Sequence, residues 1–212
     1  KAKPAWETVL DIDALGKAEG KDWVYQGSQP LAPEYRYCLM QLSPDGGDAT
    51  EIREFDLVAK RFVKDGFNVP VAKSRVSWVD RDTLFIATDF GPGSMTQSGY
   101  ARIAKRWRRG TPLSAAETLY EAQPEDMAVF AYHDRTPGFE RDFVGRSLDF
   151  YRRDYFLLAQ DGRQIKIDIP ADAELDTHRE WLLIKPSSDW EVGGKRYPSG
   201  ALLAANRSEE RR

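Results

Sequence analysis

One cysteine, Cys38, and two histidines, His133 and His178, are all that a chain of 212 residues holds of those two types. A lone thiol excludes an internal disulfide and leaves the redox compartment unmarked. A nucleophile-and-base pair would need Cys38 and a histidine far from it in sequence. Cys38 sits in the apolar run Tyr37-Cys38-Leu39-Met40, so a buried structural thiol is expected instead. No apolar run approaches the roughly 20 residues of a membrane helix, and Lys1-Ala2-Lys3-Pro4-Ala5-Trp6 lacks the apolar centre of a signal peptide. Charge of one sign is missing too: 31 Lys and Arg against 34 Asp and Glu leave a formal charge of -3, with both signs interspersed. These absences argue against nucleic-acid and membrane partners and for a soluble chain, the cytoplasm being favoured over periplasm or secretion. The sequence begins without Met, so a piece of a longer polypeptide is expected.

What is present suffices for a sizeable core, since 41% of the residues are hydrophobic, and one all-β domain is expected over 1–212. Helix is confined to Ala14-Leu15-Gly16-Lys17-Ala18-Glu19, with Asp13 as its cap and Gly20 closing it in the left-handed conformation. Elsewhere, apolar runs of strand length alternate with turn clusters such as Ser43-Pro44-Asp45-Gly46-Gly47-Asp48 and Gln160-Asp161-Gly162-Arg163. In Gln164-Ile165-Lys166-Ile167-Asp168-Ile169 the isoleucines share one face, as a period of two requires. Thr83-Leu84-Phe85-Ile86-Ala87-Thr88 and Trp181-Leu182-Leu183-Ile184 are continuous apolar runs, which predicts strands covered on both faces.

The strands fall into sets at a spacing of about 50 residues, that of four-stranded β-propeller blades. The spacing predicts a lead-in over 1–21, a first blade over 22–64, a second over 70–121, a third over 124–170 and a partial fourth over 173–212. A β-sandwich accommodates the same strands less well. Three and a half to four blades do not close a ring.

The strings Trp6-Glu7-Thr8-Val9-Leu10-Asp11, Asp22-Trp23-Val24 and Arg53-Glu54-Phe55-Asp56-Leu57 resemble the first propeller blade of the prolyl oligopeptidase family of serine peptidases. The resemblance continues in Ala72-Lys73-Ser74-Arg75-Val76-Ser77-Trp78-Val79-Asp80-Arg81-Asp82-Thr83-Leu84, Thr88-Asp89-Phe90-Gly91-Pro92-Gly93-Ser94, Lys105-Arg106-Trp107-Arg108-Arg109-Gly110-Thr111-Pro112-Leu113 and Asp189-Trp190-Glu191-Val192-Gly193-Gly194. It implies a seven-bladed propeller that caps an α/β-hydrolase domain and restricts access to it. That domain's serine, aspartate and histidine would cleave short peptides after proline. This chain departs from the pattern in having no Gly-x-Ser-x-Gly elbow: Gly145-Arg146-Ser147-Leu148-Asp149 lacks the closing glycine that the sharp turn needs. The chain alone is therefore expected to be inactive, with no catalytic residue, cofactor or metal. Its implied substrate-lining positions are Lys73, Ser74 and Met127, and its implied partners are the missing hydrolase domain and short proline-containing peptides.

Other eye-catching residues have plainer readings. His133 precedes Asp134-Arg135-Thr136-Pro137-Gly138 and is expected to be solvated in a turn. Gly91-Pro92-Gly93-Ser94 lacks the following helix that a phosphate cradle requires, so an intra-blade loop is expected. Lys105-Arg106-Trp107-Arg108-Arg109 reads as a solvated outer strand or as a surface that pairs with Asp and Glu of a neighbouring domain, and the tryptophans as blade packing. Glu7, Asp11 and Asp13 lack EF-hand spacing. Two further functional classes stay open: a stand-alone interaction module that self-associates through uncovered blade faces, and a propeller glycosidase with two carboxylates converging in a funnel.

Overall fold

The computed structural model describes residues 3–206. A short helix, α1 (Ile12–Glu19), precedes the first sheet. Its cap is Asp11, whose Oδ1 accepts from the Ala14 amide at 2.9 Å, and not Asp13. Ala14 lies three residues beyond Asp11, the distance at which a capping carboxylate meets a free amide, and Asp13 sits in the first turn. Gly20 closes the helix at φ 64°.

The first sheet contains β1 (Val24–Pro30), β2 (Tyr37–Ser43), β3 (Thr50–Asp56), β4 (Arg61–Phe62) and β5 (Asn68–Ala72). The order is β1-β2-β3, and both β4 and β5 pair with β3, at opposite ends of it. The second sheet runs β6 (Arg75–Asp80), β7 (Thr83–Ala87), β8 (Ile103–Arg108), β9 (Glu117–Glu121) in chain order. The third does the same with β10 (Ala128–Asp134), β11 (Arg141–Ser147), β12 (Arg153–Leu158) and β13 (Gln164–Lys166). In the fourth, β14 (Glu174–His178) pairs with β15 (Trp181–Lys185). A hairpin of β16 (Trp190–Val192) and β17 (Lys195–Tyr197) then intervenes before β18 (Leu203–Asn206) pairs with β15. All pairings are antiparallel, and none of these sheets closes on itself.

The sheets stand face against face because their strands alternate. On β7, Leu84 and Ile86 join Leu39, Ile52, Val69, Trp78 and Trp107 in a core between the first two sheets. Phe85 and Ala87 point the other way, into a core with Val129, Ala131 and Val144 of the third sheet. A third core sets Phe143 and Leu157 against Leu182 and Ile184 of the fourth. The outer face of the first sheet is covered by the lead-in, where Leu10 packs on the core of Cys38, Met40 and Phe55.

Several expectations are corrected by this packing. The fourth position of the first sheet is shared by β4 and the unforeseen β5, because the chain breaks away between them at Glu54 and returns. Both β14 and the β16–β17 hairpin also escaped the sequence reading, being short and polar. The six-residue isoleucine strand keeps only Gln164–Lys166: the Ile169 amide turns back to the Ile167 carbonyl at 3.0 Å and leaves the ladder, and Ile165 is 43% exposed. Strand β8 is the third of four, paired on both sides, and not a solvated edge. The run Trp181-Leu182-Leu183-Ile184 is covered on the Leu182 and Ile184 face alone. Trp78 and Trp107 pack between sheets as expected, whereas Trp6 is 91% exposed.

An acidic latch joins the last two sheets. Burial opposes ionisation of Asp134, but the Thr136 hydroxyl and amide, Arg141 at 2.8 Å and Thr177 of the fourth sheet outweigh it and hold the carboxyl down at about 2. A carboxylate depressed in the fold stabilises above its unfolded value of about 4 and loses that contribution as pH falls through the folded value. Unfolding free energy measured by urea titration is therefore expected to fall between about pH 4 and pH 2, and to fall less steeply in Asp134→Asn. An unchanged slope in that variant would remove the latch.

Candidate functional site

Strands β1, β6 and β10 each open a sheet, and their neighbouring positions line one cleft of about 680 Å³. That size suits a small ligand or a few residues of peptide. The wall is made by Gln29 of β1, by Arg75 and Ser77 of β6, by Met127 just before β10 and by Phe130 and Tyr132 along it; Arg153 of β12 and Phe150 of the preceding turn complete it. Alternation along β6 and β10 explains the exposure. Val76 and Trp78 enter the first core, which turns Arg75 and Ser77 toward the third sheet, and Val129 and Ala131 enter the second core, which turns Phe130 and Tyr132 the other way.

The Phe130 ring lies across Gly145 of β11, its register partner, so closely that a Cβ there would fall 2.1 Å from Cζ. Glycine at position 145 is therefore required by the ring that lies over it. The Arg153 guanidinium lies 5.0 Å from the same ring, and Tyr132 stacks on Phe143 at 5.0 Å. Burial raises the Tyr132 phenol well above its ordinary value, so it is neutral.

A larger cleft of about 1310 Å³ runs past the far ends of the second and third sheets, lined by Arg106, Glu117, His133, Asp142 and Lys166 among others. The charges around Asp142 are spent on one another. Arg106 lies 3.4 Å from Glu117 and 3.6 Å from Asp142, and His133 Nδ1 lies 2.7 Å from Asp142. His133 thus belongs to β10 with a carboxylate partner and is not solvated in a turn, because the strand continues through Asp134 before the chain turns.

The three positions implied by resemblance lie at the end of the blades where β6 and β10 begin. Met127 is on the cleft wall, and its carbonyl accepts from Thr96 and Ser98 at 3.0 Å each. Lys73 lies 4.3 Å over the Tyr100 ring and 3.8 Å from Asp48, which also accepts from the Tyr100 hydroxyl at 2.8 Å. Ser74 is buried, its hydroxyl 2.6 Å from that of Thr88. Gly91-Pro92-Gly93-Ser94 forms the loop between β7 and β8, folded on itself through Ser94 Oγ to the Gly91 carbonyl at 2.6 Å. Cys38 is fully buried and its thiol is pushed up to about 11, mainly by burial, so it is no nucleophile at neutral pH. Arg75, Phe130 and Arg153 were not foreseen as lining residues. The one available signal was Gly145 inside a strand, which marks a close approach.

The pattern of the prolyl oligopeptidase N-terminal β-propeller domain matches residues 1–136. The chain belongs to that family. Among similar proteins, an uncharacterized peptidase of Sinorhizobium fredii is 35% identical over 95% of this chain, which spans 29% of that protein. An uncharacterized peptidase of Rickettsia prowazekii is 28% identical over 96% of the chain and 30% of its own length. A solved structure of a post-proline cleaving enzyme from Rickettsia typhi superposes with a TM-score of 0.89 at 28% identity, covering 98% of this chain and 32% of that one. Oligopeptidase B from Leishmania major, 16% identical with a TM-score of 0.65 over 94% of this chain and 27% of its own, shares the fold. This propeller segment therefore spans less than a third of the length of each of these relatives. Among the described residues, no helix is long and apolar enough to cross a membrane.

Proposed function

We propose that this segment is the gating and scaffolding part of a serine peptidase that cleaves short peptides after proline, with its catalytic residues in another portion of the same polypeptide. The observation that carries this reading is the cleft lined by the opening strands of three successive sheets, with Tyr100 and Met127 on its wall and Lys73 over the Tyr100 ring. Packed sheets on rigid cores make a wall that peptides pass in extended form and folded proteins do not. The family membership and the similarity to a post-proline cleaving enzyme support the reading. The chemistry itself would be that of an activated serine attacking a prolyl carbonyl, with an oxyanion hole stabilising the tetrahedral intermediate. The absence of a Gly-x-Ser-x-Gly string from these 212 residues agrees with a supporting role.

The test compares the intact polypeptide that contains this sequence with the 212-residue chain on a chromogenic prolyl peptide. Turnover by the intact polypeptide alone is expected, with no cleavage of a folded protein substrate. Turnover by the 212-residue chain would overturn the assignment, as would an intact polypeptide that leaves prolyl peptides uncut.

A further inference from the structure

Two cations in the cleft have no acidic partner. Arg75 makes a single side-chain hydrogen bond, from Nη1 to the Ser74 carbonyl at 3.4 Å, and is exposed. Arg153 donates to Ser147 Oγ at 3.1 Å and to the Tyr155 hydroxyl at 3.3 Å, and lies over the Phe130 and Tyr155 rings. Among the described residues, neither guanidinium has a carboxylate within ion-pair distance. Most arginines of this chain do: Arg36, Arg53, Arg81, Arg102, Arg106, Arg109, Arg141 and Arg146 are each paired. The carboxylate on the cleft wall, Asp149, is already taken by Arg152 Nε at 2.7 Å and by the amides of Tyr151 and Arg152.

The surroundings add a second requirement. Phe150 is 80% exposed at the edge of the cleft, and Phe130 presents its ring beside Arg153. An apolar side chain next to a negative group would satisfy both the rings and the cations. Guanidinium held over aromatic faces is oriented before any ligand arrives, and its free N–H groups match the two oxygens of a carboxylate.

We infer that Arg75 and Arg153 form a carboxylate-binding site for a peptide held in the cleft, with Phe130 and Phe150 receiving the neighbouring apolar side chain. The inference rests on the reading of the cleft as a peptide passage and adds a charge preference to it. The carboxylate has two sources, the peptide's free C-terminus or an acidic side chain, and both present the same group.

The experiment is a fluorescence-anisotropy titration of the full 212-residue chain with three labelled hexapeptides. All are built from Ala, Pro and Leu: one with a free C-terminal carboxylate, one C-amidated, and one C-amidated with a single internal Glu. The free-acid peptide is expected to bind roughly tenfold or more tightly than its amide, with the difference shrinking at high salt. The Glu peptide separates the sources: affinity like the free acid means any carboxylate is accepted, and affinity like the amide means the C-terminus is selected. In Arg153→Gln and Arg75→Gln, checked for native folding by circular dichroism, the preference should be lost, and Arg153→Lys should restore part of it. Equal binding of all three peptides, no binding of any, or a preference that survives both Gln substitutions would overturn the inference. Turnover of prolyl peptides by the intact polypeptide is read separately. Carboxylate-dependent binding without that turnover removes the peptidase reading alone, and turnover without carboxylate-dependent binding removes the site alone.

Discussion

Trp78→Ala lowers the unfolding free energy of this chain by about 3–5 kcal/mol, the range for an aromatic side chain deleted from a packed core. For a chain of this size, the melting temperature drops by about 6–20 °C at about 2–4 °C per kcal/mol. Trp78 is 2% exposed in the core between the first and second sheets. Its ring meets Phe67 edge-on at 5.8 Å, and Phe67 in turn meets Trp107 edge-on at 5.0 Å, so alanine leaves a void lined by rings that cannot collapse into it. Its indole N–H also donates to the Gln29 carbonyl at 2.9 Å, which ties β6 to β1 across the sheet interface. Trp78→Phe keeps most of the volume and loses that bond, so it should cost clearly less, about 1–2 kcal/mol. Urea unfolding followed by far-ultraviolet circular dichroism gives both values. A near-neutral Trp78→Ala would mean that the two sheets are not held together by this core.

Glu54→Ala removes about 2–4 kcal/mol, short of the about 3–5 kcal/mol for a fully buried pair because both arginine partners keep some solvent access. The Glu54 side chain is wholly buried, and its Oε2 accepts from the Phe67 amide at 3.0 Å and from Arg109 Nη1 at 2.8 Å. Its Oε1 lies 2.7 Å from Arg81 Nη1, off the hydrogen-bond direction. Burial pushes the carboxyl above its ordinary value, and the Phe67 amide and the Arg81 charge pull it only part of the way back. Its backbone is equally committed, donating to the Phe67 carbonyl and accepting from the Val63 amide where the outer strand splits into β4 and β5. Alanine strands Arg81 and the Phe67 amide at the boundary between the first two sheets and leaves Arg109 with Asp82 alone, 2.9 Å from its Nε. Glu54→Gln retains an acceptor for Phe67 and should be milder than alanine under the same urea titration. Equal losses for both variants would assign the whole effect to the lost charge, and a near-neutral Glu54→Gln would assign it to the side chain's volume and its acceptor.

Residue by residue, the legible part of this structure is the local part. The unbroken run Leu84-Phe85-Ile86-Ala87 announced a strand with a core on each face, and both cores are there. The identical-looking run at Trp181 has a core on one face, since what lies against the other depends on chain beyond its own pattern. Three isoleucines in period two promised a long strand that a single backward turn at Ile167–Ile169 cuts to three residues. Resemblance named Met127, which the fold sets on the cleft wall. Arg75 and Arg153 went unnamed, because nothing in a one-dimensional string says which of many arginines lacks an acid nearby.

Alternation, turn chemistry and family resemblance together determined an all-β chain of successive antiparallel sheets belonging to a propeller, because strand period and turn preference act over a few residues. The tertiary structure alone decided which charges are spent and which are free. Arg109 finds Glu54 across 55 positions, His133 finds Asp142 on the adjacent strand, and Arg153 finds aromatic rings in place of an acid. Ion pairing falls off over a few ångströms of space irrespective of separation along the chain, so only folding can sort the paired cations from those left to meet a ligand.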